Sequence, residues 1–189
     1  PDEITEEMLS AYQCIYIEGY LLVNEELVRT TMQKAKKLGL KVALDLSNFN
    51  IVNAFKGMLE DIIPKYVDIL FSNESEAEAF TGQKAAEAVH TLSELVEVSL
   101  VTLGKEGALI GSHGQFYSVP AEGGKPVDTT GAGDNFAAGF LYGQSIGASL
   151  VQSARIGSML AGYVIDVVGP EIPYDKWEQI KLKVKGILA

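Results

Sequence analysis

The chain has 189 residues, of which 25 are acidic and 15 are basic, so its formal net charge at pH 7 is −10. This charge argues against a nucleic-acid partner or an anionic membrane surface, because both would repel it. The one cysteine excludes an internal disulfide framework and a cysteine-based metal cluster. The sequence shows no signal peptide and no apolar stretch long enough to span a membrane, which predicts a cytoplasmic protein.

The N-terminal half alternates short apolar runs with amphipathic ones. The predicted strands are Cys14–Ile17, Val42–Leu46, Val67–Phe71 and Val98–Leu103. The predicted helices are Glu25–Leu38, Asn50–Ile63 and a broken pair, Ser75–Phe80 with Ala85–Leu95. Repeated strand–helix–strand units place parallel strands side by side through right-handed crossovers, so we expect a layered α/β fold with a mostly parallel sheet.

The pattern changes after the fourth strand. Ala108–Gly111 and Gln115–Val119 are predicted to form a hairpin, and the loop Ala121–Thr130 that follows is expected to border an active site. The last predicted helices are Ala132–Ile146, Ser149–Val167 and Tyr174–Ile187. Because there is no repeat, low-complexity tract or break in composition, the sequence predicts one domain over residues 1–189.

A glycine-rich run leads into the first of these three helices. It reads Asp128-Thr129-Thr130-Gly131-Ala132-Gly133-Asp134-Asn135-Phe136. Glycine permits a tight turn and a close backbone approach, and the N–H groups at a helix start attract an anion. Asp134 adds a carboxylate beside that anion, although the helix dipole alone also favours an acidic residue there. An anion cradle next to a base is the minimum equipment for moving a phosphoryl group onto a hydroxyl.

Two other phosphate-binding loops are excluded by their context. A Walker A loop requires Gly-x-x-x-x-Gly-Lys followed by serine or threonine, and neither Gly124-Lys125-Pro126 nor Gly104-Lys105-Glu106 meets this. A dinucleotide loop requires a third glycine where Phe136 stands, and a strand after the helix. Here the apolar residues beyond the run keep helical spacing instead.

Eight residues in and after the run resemble the C-terminal signature of the ribokinase/PfkB family of carbohydrate and nucleoside kinases. They fit the pattern D-x-T-G-A-G-D-x-F-x-x-G at Asp128, Thr130, Gly131, Ala132, Gly133, Asp134, Phe136 and Gly139. The resemblance implies a ribokinase-like three-layer α/β/α sandwich and ATP-dependent phosphorylation of a sugar or nucleoside hydroxyl. It implies that Asp134 is the general base, and that the amides of Gly131, Ala132 and Gly133 stabilise the transferring γ-phosphoryl group.

Two upstream segments resemble further motifs of this family, in the family order. Asn73-Glu74-Ser75-Glu76 resembles its N-x-x-E motif, in which the glutamate positions Mg²⁺ through water and the asparagine lies near the phosphates. A helix capping box explains the same residues equally well. Thr102, Gly104 and Gly107 resemble its T-x-G-x-x-G segment, which lines the nucleotide pocket, and a plain turn is the alternative.

The resemblance also assigns positions outside these motifs. Ser158 and Gly169 fall where the family has further nucleotide-pocket and monovalent-cation residues. Carbonyl groups near Asp128 and Thr130 hold K⁺ in many members, so K⁺ is expected beside ATP and Mg²⁺. The stretch from Ile17 to Leu22 resembles adenosine-kinase-like members more than ribokinase itself.

Family members are longer at the N-terminus, where they carry most acceptor-binding residues and a lid. The resemblance therefore implies that this chain is the C-terminal, nucleotide-binding portion of a kinase and is inactive alone. It also predicts an exposed apolar sheet edge, through which copies would associate as a homo-oligomer. The alternative function is a non-catalytic nucleotide-binding or assembly module derived from a kinase, and the presence of Asp134 argues against it.

Overall fold

The computed structural model describes residues 1, 3–123 and 126–189. Contacts among these residues group them into two compact units. The first unit comprises residues 1–101 and 109–116, and the second comprises residues 102–108 and 117–189. That residues 1–189 act as one nucleotide-binding portion stays a prediction.

Strands and helices alternate through the first unit, and helices dominate the second. The strands are β1 (Cys14–Glu18), β2 (Lys41–Asp45), β3 (Ile69–Asn73), β4 (Val98–Thr102), β5 (Ala108–Ser112) and β6 (Gln115–Val119). The helices are α1 (Glu6–Ser10), α2 (Glu25–Lys37), α3 (Phe49–Ala54), α4 (Lys56–Tyr66), α5 (Glu74–Thr81), α6 (Ala85–Ser93), α7 (Ala132–Ser145), α8 (Leu150–Val164) and α9 (Trp177–Leu188). Short 3-10 turns cover Gly19–Val23, Gly104–Glu106 and Tyr174–Lys176. Within the described residues, no helix combines the length and the apolar character that crossing a membrane requires.

The strands form one sheet in the order β1-β2-β3-β4-β5-β6, which is also their order along the chain. β1, β2 and β3 run parallel, with Ile17 opposite Leu44 and Leu44 opposite Leu70. His113 and Gly114 join β5 to β6 with φ angles of 48° and 74°, the positive values that a two-residue hairpin turn requires. The predicted hairpin and the mostly parallel α/β fold are therefore confirmed.

Apolar strands and helix faces account for the core of the first unit. The largest fully buried side chains on its strands and helices are Met32, Leu44, Leu59, Ile62, Ile63, Leu70, Leu92, Leu100 and Ile110. β2, β3, β4 and β5 are mainly buried along their length, as expected for strands that are covered on both faces, whereas most of β6 is exposed. This pattern explains why these four strands could be predicted from the sequence.

The predicted helix Asn50–Ile63 is wrong as one element, because the structure divides it into α3 and α4. Phe55, between them, has φ −114° and ψ 20°, and this departure from helical backbone angles separates α3 from α4. Val52 in α3 and Leu59 in α4 are both fully buried. The apolar spacing therefore continues across the break, and periodicity alone does not reveal it.

In the second unit, α7 and α8 pack backbone against backbone. A Cβ added to Gly139 would lie 2.7 Å from the Cα of Gly157, and one added to Gly143 would lie 2.7 Å from the Cα of Ser153. Glycine is thus required at positions 139 and 143, because a larger side chain would clash with the backbone of α8. On its other side α8 joins α9 in an apolar cluster made of Ile156, Met159, Leu160, Ile180 and Ile187. The first turn of α7 is consequently held against a well-packed helix.

Candidate active site

No side chain among the described residues caps the first turn of α7. Gly131 is its N-cap residue, with φ 77°, and a Cβ at this position would lie 2.8 Å from the Cβ of Pro170. Both the left-handed backbone and the close neighbour therefore require glycine. The N–H of Ala132 donates to the Thr129 carbonyl at 3.2 Å. The N–H groups of Gly131 and Gly133 have no such partner among the described residues, so they are the available anion donors.

Asp128 fixes the backbone that leads into this turn. Its Oδ1 accepts hydrogen bonds from the Thr130 N–H at 2.9 Å and the Thr130 hydroxyl at 2.7 Å. Its Oδ2 accepts from the Gly169 N–H at 2.9 Å. These bonds, that of Gly169 first, lower the pKa of the Asp128 carboxyl. Both carboxylate oxygens are thus engaged in holding residues 128–130 beside Gly169.

Asp134, in contrast, is exposed in the first turn of α7. Among the residues that the structure describes, none forms a hydrogen bond or an ion pair with its carboxylate. Of the two acids in the glycine-rich run, only Asp134 is therefore available to accept a proton from a ligand.

A cavity of about 380 Å³ adjoins the start of α7. Its lining includes six of the predicted site residues: Thr102, Gly104, Gly107, Ala132, Gly133 and Ser158. Apolar lining is provided by Phe136, Ala161 and Ile165. The cavity is lined by apolar side chains and by a helix N-terminus. It therefore suits a ligand that has a flat ring and a phosphate group.

The segment Thr102–Gly107 reaches this cavity as a 3-10 turn. Gly107 has φ 103°, and a Cβ there would lie 1.9 Å from the Val119 carbonyl oxygen. The Leu103 N–H donates to the Gly107 carbonyl at 2.8 Å, which closes the turn. Gly104 and Gly107 both have positive φ angles, which favour glycine, and the turn that they form lies at the cavity. The turn is therefore confirmed, and its part in nucleotide binding stays a prediction.

Asn73 and Glu76 belong to the first unit, where they form the capping box of α5. The Glu76 carboxylate accepts from the Asn73 N–H at 2.8 Å and from the Asn73 Nδ2 at 2.6 Å, and Asn73 Oδ1 accepts from the Glu76 N–H at 3.0 Å. Only 4% of Glu76 is exposed. Burial, with a smaller contribution from the Asp45 carboxylate, raises the pKa of Glu76 from 4.5 to about 7. The structural explanation of this motif is confirmed, and its part in metal binding stays a prediction.

Comparison with known proteins decides the family. The sequence profile of the pfkB family carbohydrate kinases matches residues 1–177. The chain belongs to the PfkB family. The PfkB chain is 32% identical over 193 residues to an adenosine kinase of Saccharomyces cerevisiae, covering 93% of this chain and 56% of that protein.

Solved structures agree with this assignment. A probable sugar kinase from Rhizobium etli superimposes with a TM-score of 0.91 at 30% identity, over 99% of this chain and 58% of that one. The adenosine kinase from Sinorhizobium meliloti superimposes with a TM-score of 0.90 at 29% identity, over 97% and 57% of the two chains. The PfkB chain thus has the ribokinase-like α/β sandwich fold, and it spans somewhat more than half the length of these relatives.

Two residues that support the candidate site were missed by sequence reasoning. The Asn135 Nδ2 donates to the carbonyls of Gly131 at 2.9 Å and Pro170 at 3.3 Å, which ties the N-cap to its neighbour. Gly162 lies inside α8, and a Cβ there would lie 1.9 Å from the Glu122 carbonyl oxygen. A glycine inside an apolar helix is a signal of close approach, since it otherwise weakens the helix.

The raised pKa of Glu76 predicts a pH-dependent stability in metal-free buffer. Between pH 4.5 and 7 the folded state binds more protons than the unfolded state, so the free energy of unfolding should fall as the pH rises through this window. With solvent screening allowed for, we expect a loss of about 2–3 kcal/mol between pH 4.5 and 8. Urea unfolding at both pH values measures it.

Glu76→Gln should remove this part of the pH dependence, because an amide does not ionise. Glu74→Gln is the matched control, since Glu74 lies in the same helical turn but is exposed. Equal pH dependence in the wild type and in Glu76→Gln would contradict the assignment.

Proposed function

We propose that residues 1–189 form the nucleotide-binding part of an ATP-dependent phosphotransferase that moves the γ-phosphoryl group of ATP to a hydroxyl of a sugar or a nucleoside. The observation that carries the proposal is the 380 Å³ cavity, at which the Thr102–Gly107 turn and the uncapped start of α7 meet. The relatives support the acceptor class, because their names include adenosine kinase and probable sugar kinase.

The chemistry follows from the groups at the start of α7. The acceptor hydroxyl oxygen bonds to the γ-phosphorus while the bond to the bridging oxygen of ADP breaks, and the hydroxyl proton passes to the Asp134 carboxylate. The N–H groups of Gly131 and Gly133 donate to the charge that develops on the phosphoryl oxygens, and the Ala132 N–H, which bonds to the Thr129 carbonyl, contributes its dipole at the same helix end. The bonds from Asp128 and Asn135 keep this backbone in place.

We propose a magnesium ion that would be held mainly by phosphates and water. The residues that the structure describes include no cluster of three or more His, Cys, Asp or Glu side chains suited to a metal. Mg²⁺ retains several waters and uses one or two carboxylates with substrate phosphates, where it neutralises phosphate charge. We assign Glu76 this part through water, because its carboxylate is buried and already accepts two bonds from Asn73. We place K⁺ at carbonyls near Asp128 and Thr130.

Nucleotide binding tests the proposed function directly. At a hundredfold excess over its dissociation constant, Mg·ATP or Mg·ADP should raise the melting temperature of this chain by about 5–10 °C, because a ligand that binds the folded state stabilises it. NAD and Mg²⁺ alone are the controls, and neither should produce a shift. A shift with NAD alone would refute the proposal.

We further propose that residues 1–189 alone bind nucleotide without phosphorylating adenosine or common sugars. Phosphoryl transfer requires both substrates to be held in line in a site that excludes water. The chain spans 56–58% of the length of the relatives described above. A kinase assay on the chain used for the melting experiment measures this, and robust transfer would contradict it.

We propose that copies of this chain associate through the edge of the sheet at β1. β1 is the first strand in the sheet order and pairs only with β2 among the described strands. Tyr12, Tyr20 and Val23, close to it in sequence, are 65%, 53% and 73% exposed. An edge strand flanked by exposed apolar side chains is a surface on which a second copy can pair.

Light scattering should therefore give a mass that exceeds 20.4 kDa and increases with protein concentration. The double variant Tyr20→Lys/Val23→Lys should weaken association by about tenfold, because charge opposes burial of this edge. Val168→Lys is the control, since Val168 is 84% exposed but lies in the second unit. A monomer at all concentrations would overturn the proposal.

A further inference from the structure

Residues 120–122, at the start of the loop before the glycine-rich run, are attached to α8 by a buried hydroxyl, whereas the Val127 N–H at the other end of the loop bonds to the Ile165 carbonyl at 2.8 Å. Ser158 is 5% exposed, and its Oγ donates to the Pro120 carbonyl at 2.8 Å. The same Oγ accepts from the Glu122 N–H at 2.9 Å. A serine hydroxyl has one proton to donate, so while this bond exists Ser158 has no donor left for a ligand.

Gly162 makes the second attachment, one helical turn further along α8. Residues four apart lie on the same face of a helix, so Ser158 and Gly162 both face the loop. A Cβ on Gly162 would lie 1.9 Å from the Glu122 carbonyl oxygen and 2.9 Å from the Cα of Gly123. The loop backbone thus rests directly on the helix backbone beside the hydrogen-bonded serine.

Glu122 and Gly123 also line two cavities. They contribute to the 380 Å³ cavity at the start of α7 and to a second cavity of about 680 Å³ beside α8 and α9. A segment with open space on both sides has few packing contacts of its own, so its position depends on its attachments to α8. We call residues 120–123 the cavity wall.

We propose that Ser158 is a positioning residue for the nucleotide, which acts through the cavity wall and does not bind the nucleotide itself. This inference rests on the proposed function. The Ser158 hydroxyl fixes the distance between the cavity wall and α8, and hence the width of the cavity that receives the nucleotide. Without the hydroxyl, the Glu122 N–H and the Pro120 carbonyl lose their partner, and the wall moves away from α8.

Three variants test the inference. Ser158→Ala removes the hydroxyl and Ser158→Thr retains it. Ser153→Ala is the matched control, because Ser153 is a fully buried serine of the same helix that bonds to Gln144 Nε2 at 2.8 Å and not to the wall. Each variant is compared with the wild type by amide hydrogen exchange at Glu122 without ligand, and by the dissociation constant of Mg·ADP.

In Ser158→Ala we expect exchange at Glu122 to be about tenfold faster and Mg·ADP binding about tenfold weaker. Ser153→Ala should change neither quantity by more than about twofold, and Ser158→Thr should return both toward wild type. Weaker binding with unchanged exchange would show that Ser158 contacts the nucleotide directly, and would overturn the inference. Faster exchange with unchanged binding would overturn it as well.

The two measurements distinguish failure of the proposed function from failure of the inference about Ser158. If the wild type binds no Mg·ADP, the nucleotide role of both the cavity and Ser158 is refuted, whereas exchange at Glu122 still decides whether Ser158 holds the wall.

Discussion

Replacing Asp134 with asparagine should lower the turnover of the intact enzyme by about 10²–10⁴-fold, while the affinity for Mg·ATP should change by less than about threefold. In the proposed mechanism Asp134 accepts the proton of the acceptor hydroxyl, and asparagine keeps the size of the side chain but cannot accept that proton. Asp128 would not replace it, since both of its oxygens accept bonds from Thr130 and Gly169. Steady-state kinetics with a nucleoside and a sugar acceptor measure turnover, and calorimetry measures the affinity.

Asp175→Asn is the charge-matched control for this experiment. Asp175 is an exposed carboxylate of the same unit, 3.4 Å from Lys176, and lies outside the glycine-rich run. Its variant should keep wild-type turnover. Near-normal turnover in Asp134→Asn would exclude the role given to Asp134, and intact enzyme that binds nucleotide without any transfer would favour a non-catalytic module.

Gly162→Ala should destabilise the chain by about 3 kcal/mol and weaken Mg·ADP binding by more than about tenfold. The added methyl would lie 1.9 Å from the Glu122 carbonyl oxygen and 2.6 Å from its carbon, so backbone has to move. The displaced residues form the wall of the 380 Å³ cavity, which links the loss of stability to the loss of binding. Urea unfolding and calorimetry measure the two effects.

Gly186→Ala is the control for Gly162→Ala. Gly186 is also a helical glycine, in α9, but a Cβ there would meet no atom within 4 Å. Alanine is the better helix former, so this variant should be as stable as the wild type or up to about 1 kcal/mol more stable, with unchanged binding. Wild-type stability of Gly162→Ala would show that the wall tolerates displacement.

Most of the fold could be predicted because its determinants are local. Apolar runs bounded by turns marked the strands, and the two residues with positive φ between β5 and β6 are those expected of a hairpin. The break at Phe55, which divides residues 50–63 into two helices, could not be predicted. The apolar residues on both sides of it keep the same helical spacing. α1, with five residues and a Thr5 cap, is too short to show periodicity.

The sequence by itself determined the family resemblance, the layered fold and the tight glycine turn at the start of α7, because a glycine-rich run before a helix specifies backbone conformation through neighbouring residues. Only the tertiary structure decided what each polar side chain does. Asp128 is engaged by Gly169, 41 residues away, and Ser158 is engaged by Glu122, 36 residues away, whereas Asp134 remains exposed. Such pairings depend on how distant segments pack together, and no local pattern in the chain records which polar atoms will meet.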